Sequence, residues 1–251
     1  TREVIAQYMA EQRIAIRYIW KENGGLYTGY NTAYANITSP LNVCIDSDDF
    51  MPENAVELIR QTWNERGGEQ YAGIIGLDFY ADKKQPIGGY FPKDLNEVYL
   101  HDLYLYRIHI GDAKQVMRTD LMHHIAPQIG FPDEKDFNPI YMLLQVCDTL
   151  PLLVINENLC WVDYQKTGMA ADIFKQYVRS PHSLIKMRKM EMNLQRNTFR
   201  NLLRLNIHYV SSCLIACNKH WLKDSPKPLL TLLMAPFGFI LYLFILWKNR
   251  H

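Results

Sequence analysis

A mixed α/β sheet flanked by helices, followed by a helical region that meets a membrane, is the architecture this 251-residue sequence predicts. Three observations predict it. Short apolar runs bounded by turn residues alternate with helix-period segments through the first two thirds of the chain. One of those runs stops abruptly at four polar residues, Asp46-Ser47-Asp48-Asp49. Beyond Gly168 the texture turns helical and basic and ends in an uncharged stretch from Leu229 to Trp247. The domains are therefore drawn as 1–168 and 169–251.

The chain opens on a helix pattern with Val4, Ile5, Tyr8 and Met9 on one face, and an amphipathic helix at the very start predicts that sequence precedes Thr1. Alternation of Ile14, Ile16 and Tyr18 predicts a strand over 14–19, Asn23-Gly24-Gly25 a turn, and 26–35 a helix. Pro40 introduces Leu41, Val43, Cys44 and Ile45, which read as a buried strand. Pro52 with Val56, Ile59 and Trp63 starts a helix, the proline in its first turn where the missing N–H costs least. A strand follows over 72–79, then a loop in which Gly88-Gly89-Tyr90-Phe91-Pro92 suits a ligand wall. Segments 104–110 and 116–122 have strand character. Asn138-Pro139 supplies an N-cap and first-turn proline for a helix through Val146, and 152–164 alternates as the last core strand.

At 48 % hydrophobic the chain can bury one substantial core. Lys and Arg number 27 against 26 Asp and Glu, which gives no electrostatic case for a nucleic-acid partner. The distribution says more. Lys175, Arg179, Lys186, Arg188, Lys189, Arg196, Arg200 and Arg204 are opposed only by Glu191, so this block predicts a local basic surface. Five cysteines without a CxxC pair argue against a disulfide framework or a structural zinc site and fit a reducing cytoplasm. Cys213 and Cys217, four apart, would share a helix face and read as packing. Asn36-Ile37-Thr38 matches a glycosylation acceptor, which the free-thiol usage sets aside. The stretch from Leu229 to Trp247 is about long enough to span a bilayer, but Pro236 and Gly238 interrupt it. Two half-helices, interfacial or re-entrant with both ends on the cytoplasmic side, are the expectation. A single span and a buried core helix are the alternatives.

The strand ending at Asp46 carries the chemistry. Ligands of open α/β sheets bind beyond the carboxyl ends of the strands, and alternate carboxylates in such a turn suit a hard divalent cation that bridges two phosphates. A bound cation stabilises the charge on a departing diphosphate. The plainer alternative is that Asp48 or Asp49 caps the following helix. His123 and His124, side by side in a strand, would point to opposite faces, so with His109 they read as structural. The sixteen tyrosines suit sugar stacking or core packing equally well.

The order Asn23-Gly24-Gly25, Asn31, Asp46-Ser47-Asp48-Asp49 resembles family 2 glycosyltransferases of the GT-A fold, of the kind found in bacterial capsule, lipopolysaccharide and exopolysaccharide synthesis. The resemblance continues through Gly88-Gly89-Tyr90-Phe91-Pro92, Asp133-Glu134-Lys135 and Tyr164 to Gly168. It implies transfer of a sugar from a nucleoside-diphosphate sugar to a glycan or lipid-linked acceptor, inverting and dependent on Mg²⁺ or Mn²⁺. Asp46 would face the donor nucleotide and the metal, and Asp48 would be the firmest metal ligand. Asn23, Gly24 and Asn31 would line the donor pocket. Asp133 or Glu134 would be the acceptor base, with Lys135 standing where the family carries an Asp. These acids would otherwise serve the dipole of the following helix. The resemblance also implies an upstream strand, helix and strand ending in an acidic Gly-Ser turn. The basic block and apolar tail place the protein on the anionic, cytoplasmic face of the cell membrane. A catalytically inactive, membrane-associated module of the same fold is the alternative. A nucleotidyltransferase would want a Gly-rich phosphate loop with a Lys, which is missing.

Overall fold

The computed structural model describes residues 2–131, 133–163 and 173–250. Residues 164–168, where the domain boundary was drawn and the last part of the resemblance falls, lie outside them. The elements run α1 (Arg2–Glu11), α2 (Leu26–Tyr34), β1 (Leu41–Val43), α3 (Ala55–Arg66), β2 (Gly73–Tyr80), β3 (Glu97–Val98), α4 (Leu100–Leu105), β4 (Ala113–Arg118), α5 (Thr119–His124), α6 (Ile140–Val146), β5 (Leu152–Val162), α7 (Ile173–Arg179), α8 (Pro181–Asn193), α9 (Phe199–Ile215) and α10 (Pro228–Lys248).

The sheet order is β1-β4-β2-β5-β3. β4 is antiparallel to both β1 and β2, and β2 is parallel to β5, so β1, β2 and β5 all point the same way. Their carboxyl ends share one edge of the sheet with the first residue of β4. One face of the sheet, with Ile75 and Leu77, packs against α4, α5, α6 and part of α8 through Leu103, Met122, Met142 and Met187. The other, with Ile74, Val116 and Leu153, packs on α3 through Ala55 and Ile59. Both faces of β2 are covered, which explains its nearly continuous apolar run.

Several expectations fail for identifiable reasons. Segment 14–19 is not a strand: Ile14 is 72 % exposed and no strand pairs with it, and alternation without a hydrogen-bonding neighbour makes no sheet. The helix before it forms, but buries none of its residues. Segment 104–110 is not a strand either. Leu100 and Leu103, at helical spacing, are buried and draw this region into α4, and Arg107 at φ 53° then turns the chain out of the helix. The strand read over 116–122 ends at Arg118, after which Thr119 to His124 forms α5, with Met122 buried beneath it. His123 and His124 therefore share the end of a helix and bind the carbonyls of Tyr34 and Asp120. Cys217 lies beyond α9 at φ 53°, so it shares no helix face with the buried Cys213.

The helical region departs most from expectation. α10 runs unbroken through Pro236 and Gly238. Gly238 is not a hinge: a Cβ there would lie 2.5 Å from Val210 Cβ, so the glycine admits close approach of α9. Thr231 bonds Asn206 and Ser225, all three buried. Contacts Asn206 to Thr231 and Val210 to Gly238 advance together, so α9 and α10 run in the same sense and residues 216–227 cross back between them. Much of the basic block is also not free surface. Arg179 pairs with Asp136 at 3.1 Å, Arg188 with Glu191, and Arg196 with Asp102 at 2.6 Å. Lys186 donates to Ile129 O and Arg204 to Asn201 Oδ1.

Candidate active site

The sheet topology gathers the acidic turn, the ends of β2 and β5 and the start of β4 at one edge. Asp49 N–H donates to Asp46 O at 3.0 Å, closing the turn, and Phe50 exchanges backbone hydrogen bonds with Trp161 at 3.1 and 2.7 Å. Asp163 N–H donates to Asp49 Oδ1 at 3.3 Å. Burial raises the Asp49 carboxyl, with the Asp163 N–H pulling it back. Asp46 and Asp48 remain exposed. Asp48 and Asp49 are thus not helix caps: α3 begins at Ala55, behind Asn54.

Beneath the turn lies an ion pair that the sequence reading missed. Asp78 on β2 is 3 % exposed and faces Lys114 of β4, with Nζ 3.7 Å from Oδ2, while its Oδ1 has no hydrogen-bond partner among the described residues. Burial pushes the Asp78 carboxyl up to about 7, against the pull of Lys114. Lys114 stays cationic: burial opposes its charge, and Asp78, Cys160, Asp49 and Asp46 more than offset that. A signal was present in the sequence, since Asp78 is the one charge inside an apolar strand. The sign of its effect on stability follows from linkage. An acid whose folded pKa exceeds its unfolded value of about 3.9 contributes fully at low pH, and the contribution is lost as pH rises through about 7. Asp78→Asn is therefore expected to flatten the decline in melting temperature between roughly pH 4 and pH 7, as read by thermal melts across that range.

Helix α2 links the turn to the acidic segment at 133–136. At its first turn, Gly25 at φ 97° packs on the Lys135 backbone, where a Cβ would sit 3.3 Å from Lys135 Cα. One helical turn later, the Tyr30 hydroxyl hydrogen-bonds Cys44 and lies within electrostatic reach of Asp46. The residues assigned to donor and base thus border a common region, but not every side chain is available. Asn31 accepts from Gln128 N–H at 2.9 Å and donates to Gln128 O at 2.8 Å, so it clamps the loop before 133–136. Asn23 Oδ1 accepts from Gly25 N–H at 3.1 Å, which shapes the turn, and a Cβ on Gly24 would meet Thr28 at 3.1 Å.

Glu134 is 6 % exposed. Its carboxylate accepts from the backbone N–H of His182 at 2.9 Å and of Ser183 at 2.6 Å, and contacts His182 Nδ1 at 2.8 Å. It therefore serves a helix start, but that of α8, far along the chain, rather than that of α6, which follows it. Asn138 Oδ1 supplies the turn before α6 by accepting from Ile140 N–H at 2.9 Å. Asp133, at φ 66°, is exposed. Asp136 is taken by Arg179. His109 stacks on Phe91 at 4.8 Å in the core, in keeping with its structural reading.

A cation would find oxygen donors of the right hardness in Asp46 and Asp48. Among the described residues no cluster of three His, Cys, Asp or Glu side chains could hold a metal. Two carboxylates in an open turn fit a cation whose other ligands are diphosphate and water, as Mg²⁺ commonly takes them.

Residues 1–111 match the family model described as Glycosyl transferase family 2. No curated protein shows significant sequence similarity to the chain. Two crystal structures of S. aureus TarS residues 1–349 share the fold at a TM-score of 0.52 and 10 % identity. In the first, in complex with UDP-GlcNAc, the alignment covers 93 % of this chain and 66 % of that one. In the second it covers 100 % and 78 %. The acidic turn at the sheet edge thus belongs to residues 1–111, the part of the chain that is similar to glycosyltransferases of family 2, and the fold is shared with TarS.

Proposed function

We propose that the protein transfers a sugar from a nucleoside-diphosphate sugar to a glycan or lipid-linked acceptor, with inversion and with a divalent cation, Mg²⁺ or Mn²⁺, at the membrane surface. The observation that carries this reading is the open Asp46-Ser47-Asp48-Asp49 turn at the shared carboxyl ends of three parallel strands, where an α/β sheet binds its ligand. The TarS structure with UDP-GlcNAc supports a sugar nucleotide as donor. Asp46 and Asp48 would hold the cation, which supplies Lewis-acid stabilisation of the leaving diphosphate. Asp46 also faces the donor. The Asn23-Gly24-Gly25 turn and Asn31 build the neighbouring wall, with Asn31 acting through its clamp on Gln128.

Inversion needs a base that takes the acceptor hydroxyl proton as that oxygen attacks the anomeric carbon. Asp133 takes that role in this reading, because both Glu134 oxygens are held by α8 while Asp133 is exposed. Asp133→Asn is expected to lower turnover about a hundredfold with little change in donor KM. Glu134→Gln should instead lower the melting temperature by loosening the start of α8. Release of UDP from UDP-GlcNAc, followed with and without Mg²⁺ or Mn²⁺, tests the whole proposal. Absence of release in both conditions, with saturable UDP binding retained, would favour the catalytically inactive module.

α10 supports the membrane location. It is long and apolar enough to cross a membrane by length and composition, and most of its large side chains face outward.

A further inference from the structure

Four aromatic side chains form a row at the carboxyl end of the sheet, beside the acidic turn. Phe50 lies opposite Trp161 in an antiparallel bridge. Trp161 lies opposite Phe79 in the β2–β5 ladder, with the rings edge to face at 5.7 Å. Tyr90 meets Phe79 edge-on at 6.3 Å. Directly paired residues of neighbouring strands project to the same face, so Phe50, Trp161 and Phe79 share one side, while the paired Asp78 and Cys160 take the other. The outer rings are open to solvent, Phe50 by 50 % and Tyr90 by 62 %. Neither is loosely held. Phe50 is fixed by its backbone exchange with Trp161. Tyr90 precedes Phe91, which is 2 % exposed and bonded through both its N–H and its C=O to the Asn156 side chain. Lys84 Nζ stands 4.2 Å over Trp161, so a hydrogen-bond donor flanks the row.

We propose that this row binds the acceptor glycan by stacking its pyranose rings; the assignment rests on the glycosyl-transfer reading above. A pyranose presents an apolar C–H face and a rim of hydroxyl groups. Fixed aromatic faces take the first, and flanking ammonium and carboxylate groups take the second. The ring separations of 5.7 and 6.3 Å are close to the length of one sugar unit in an extended glycan. A row of rings at that spacing suits a chain of sugars, whereas one nucleotide base would need one ring. Phe50 follows Asp49 directly, so the row ends at the turn assigned to the donor diphosphate, where the terminal acceptor hydroxyl must arrive.

Calorimetric titration of the full chain with soluble β-linked glucose and N-acetylglucosamine trisaccharides, alongside UDP, tests the assignment. The wild type is expected to bind at least one trisaccharide. The Phe50→Ala/Tyr90→Ala double variant should bind it at least tenfold more weakly, with UDP affinity within twofold of wild type. Phe50→Tyr and Tyr90→Phe, which keep the rings, should retain trisaccharide binding and serve as the test if the alanine variant fails to fold. No trisaccharide binding by the wild type, or equal binding by the variants that lose their rings, overturns the proposal. So does loss of UDP affinity in place of trisaccharide affinity, which would give the row to the base. Failure of the wild type to bind UDP would instead count against the donor reading, and the trisaccharide result would still decide the row.

Discussion

Asp48→Ala is expected to lower sugar transfer by about four orders of magnitude while leaving the melting temperature nearly unchanged. The size follows from what the carboxylate would do. A cation on the leaving diphosphate stabilises its charge by several kcal/mol, and each 1.36 kcal/mol is about tenfold in rate. The small cost in stability follows from place: Asp48 is exposed in a turn that Asp49 N–H and Asp46 O close without it, and surface substitutions away from such contacts change stability by about 0.5 kcal/mol or less. Asp48→Asn should behave nearly the same, because the amide keeps the shape but loses the charge. UDP release under saturating Mn²⁺, with melting curves on the same preparations, separates the two effects. Turnover near the wild-type level in either variant, or in wild type with a chelator present, removes the metal from the mechanism.

The strands β1, β2 and β5 and the acidic turn were legible in the sequence because local signals and tertiary structure agree there. Pro40, the apolar run to Ile45 and the polar stop at Asp46 each act within a few residues. The reading failed where a distant partner decides. Alternation at 14–19 finds no neighbouring strand, whereas 104–110 yields its apparent strand to Leu100 and Leu103. In the site, the turn at 46–49 was legible, while the fates of Asn31 and Glu134 were not. Their partners, Gln128 and the start of α8, lie 97 and about fifty residues away. Asp78 was visible as a charge in an apolar strand, but its pairing with Lys114 needed the β2–β4 register.

The same dependence on partners revises how the protein should hold a membrane. The sequence suggests two forces, a polybasic block screened by salt and an apolar tail indifferent to it. With Arg179, Arg188 and Arg196 in ion pairs within the chain, the electrostatic share shrinks and the tail dominates. The buried positions of α10, namely Thr231, Met234, Gly238 and Ile245, form one stripe toward the rest of the helical region, and Gly238 and Thr231 lock it to α9. The outward face carries Leu232, Leu233, Phe237, Ile240, Leu243 and Phe244, each at least two-fifths exposed. A helix so held along its length is expected to meet lipid with one face and to lie in the interface, without the half-helix break. Substituting Leu233, Phe237 and Ile240 together with Gln leaves the buried stripe intact and removes about 5 kcal/mol of apolar transfer, on the order of several thousandfold in vesicle partitioning. The wild type should remain on acidic vesicles at 1 M salt, where the Debye length falls to about 3 Å, and require detergent for release. The triple variant should be found in the supernatant. A probe cysteine at Asn249 should react from the side that carries Lys227; reaction only from the opposite side would make α10 a span. Release of the wild type by salt alone would return the main role to the basic block.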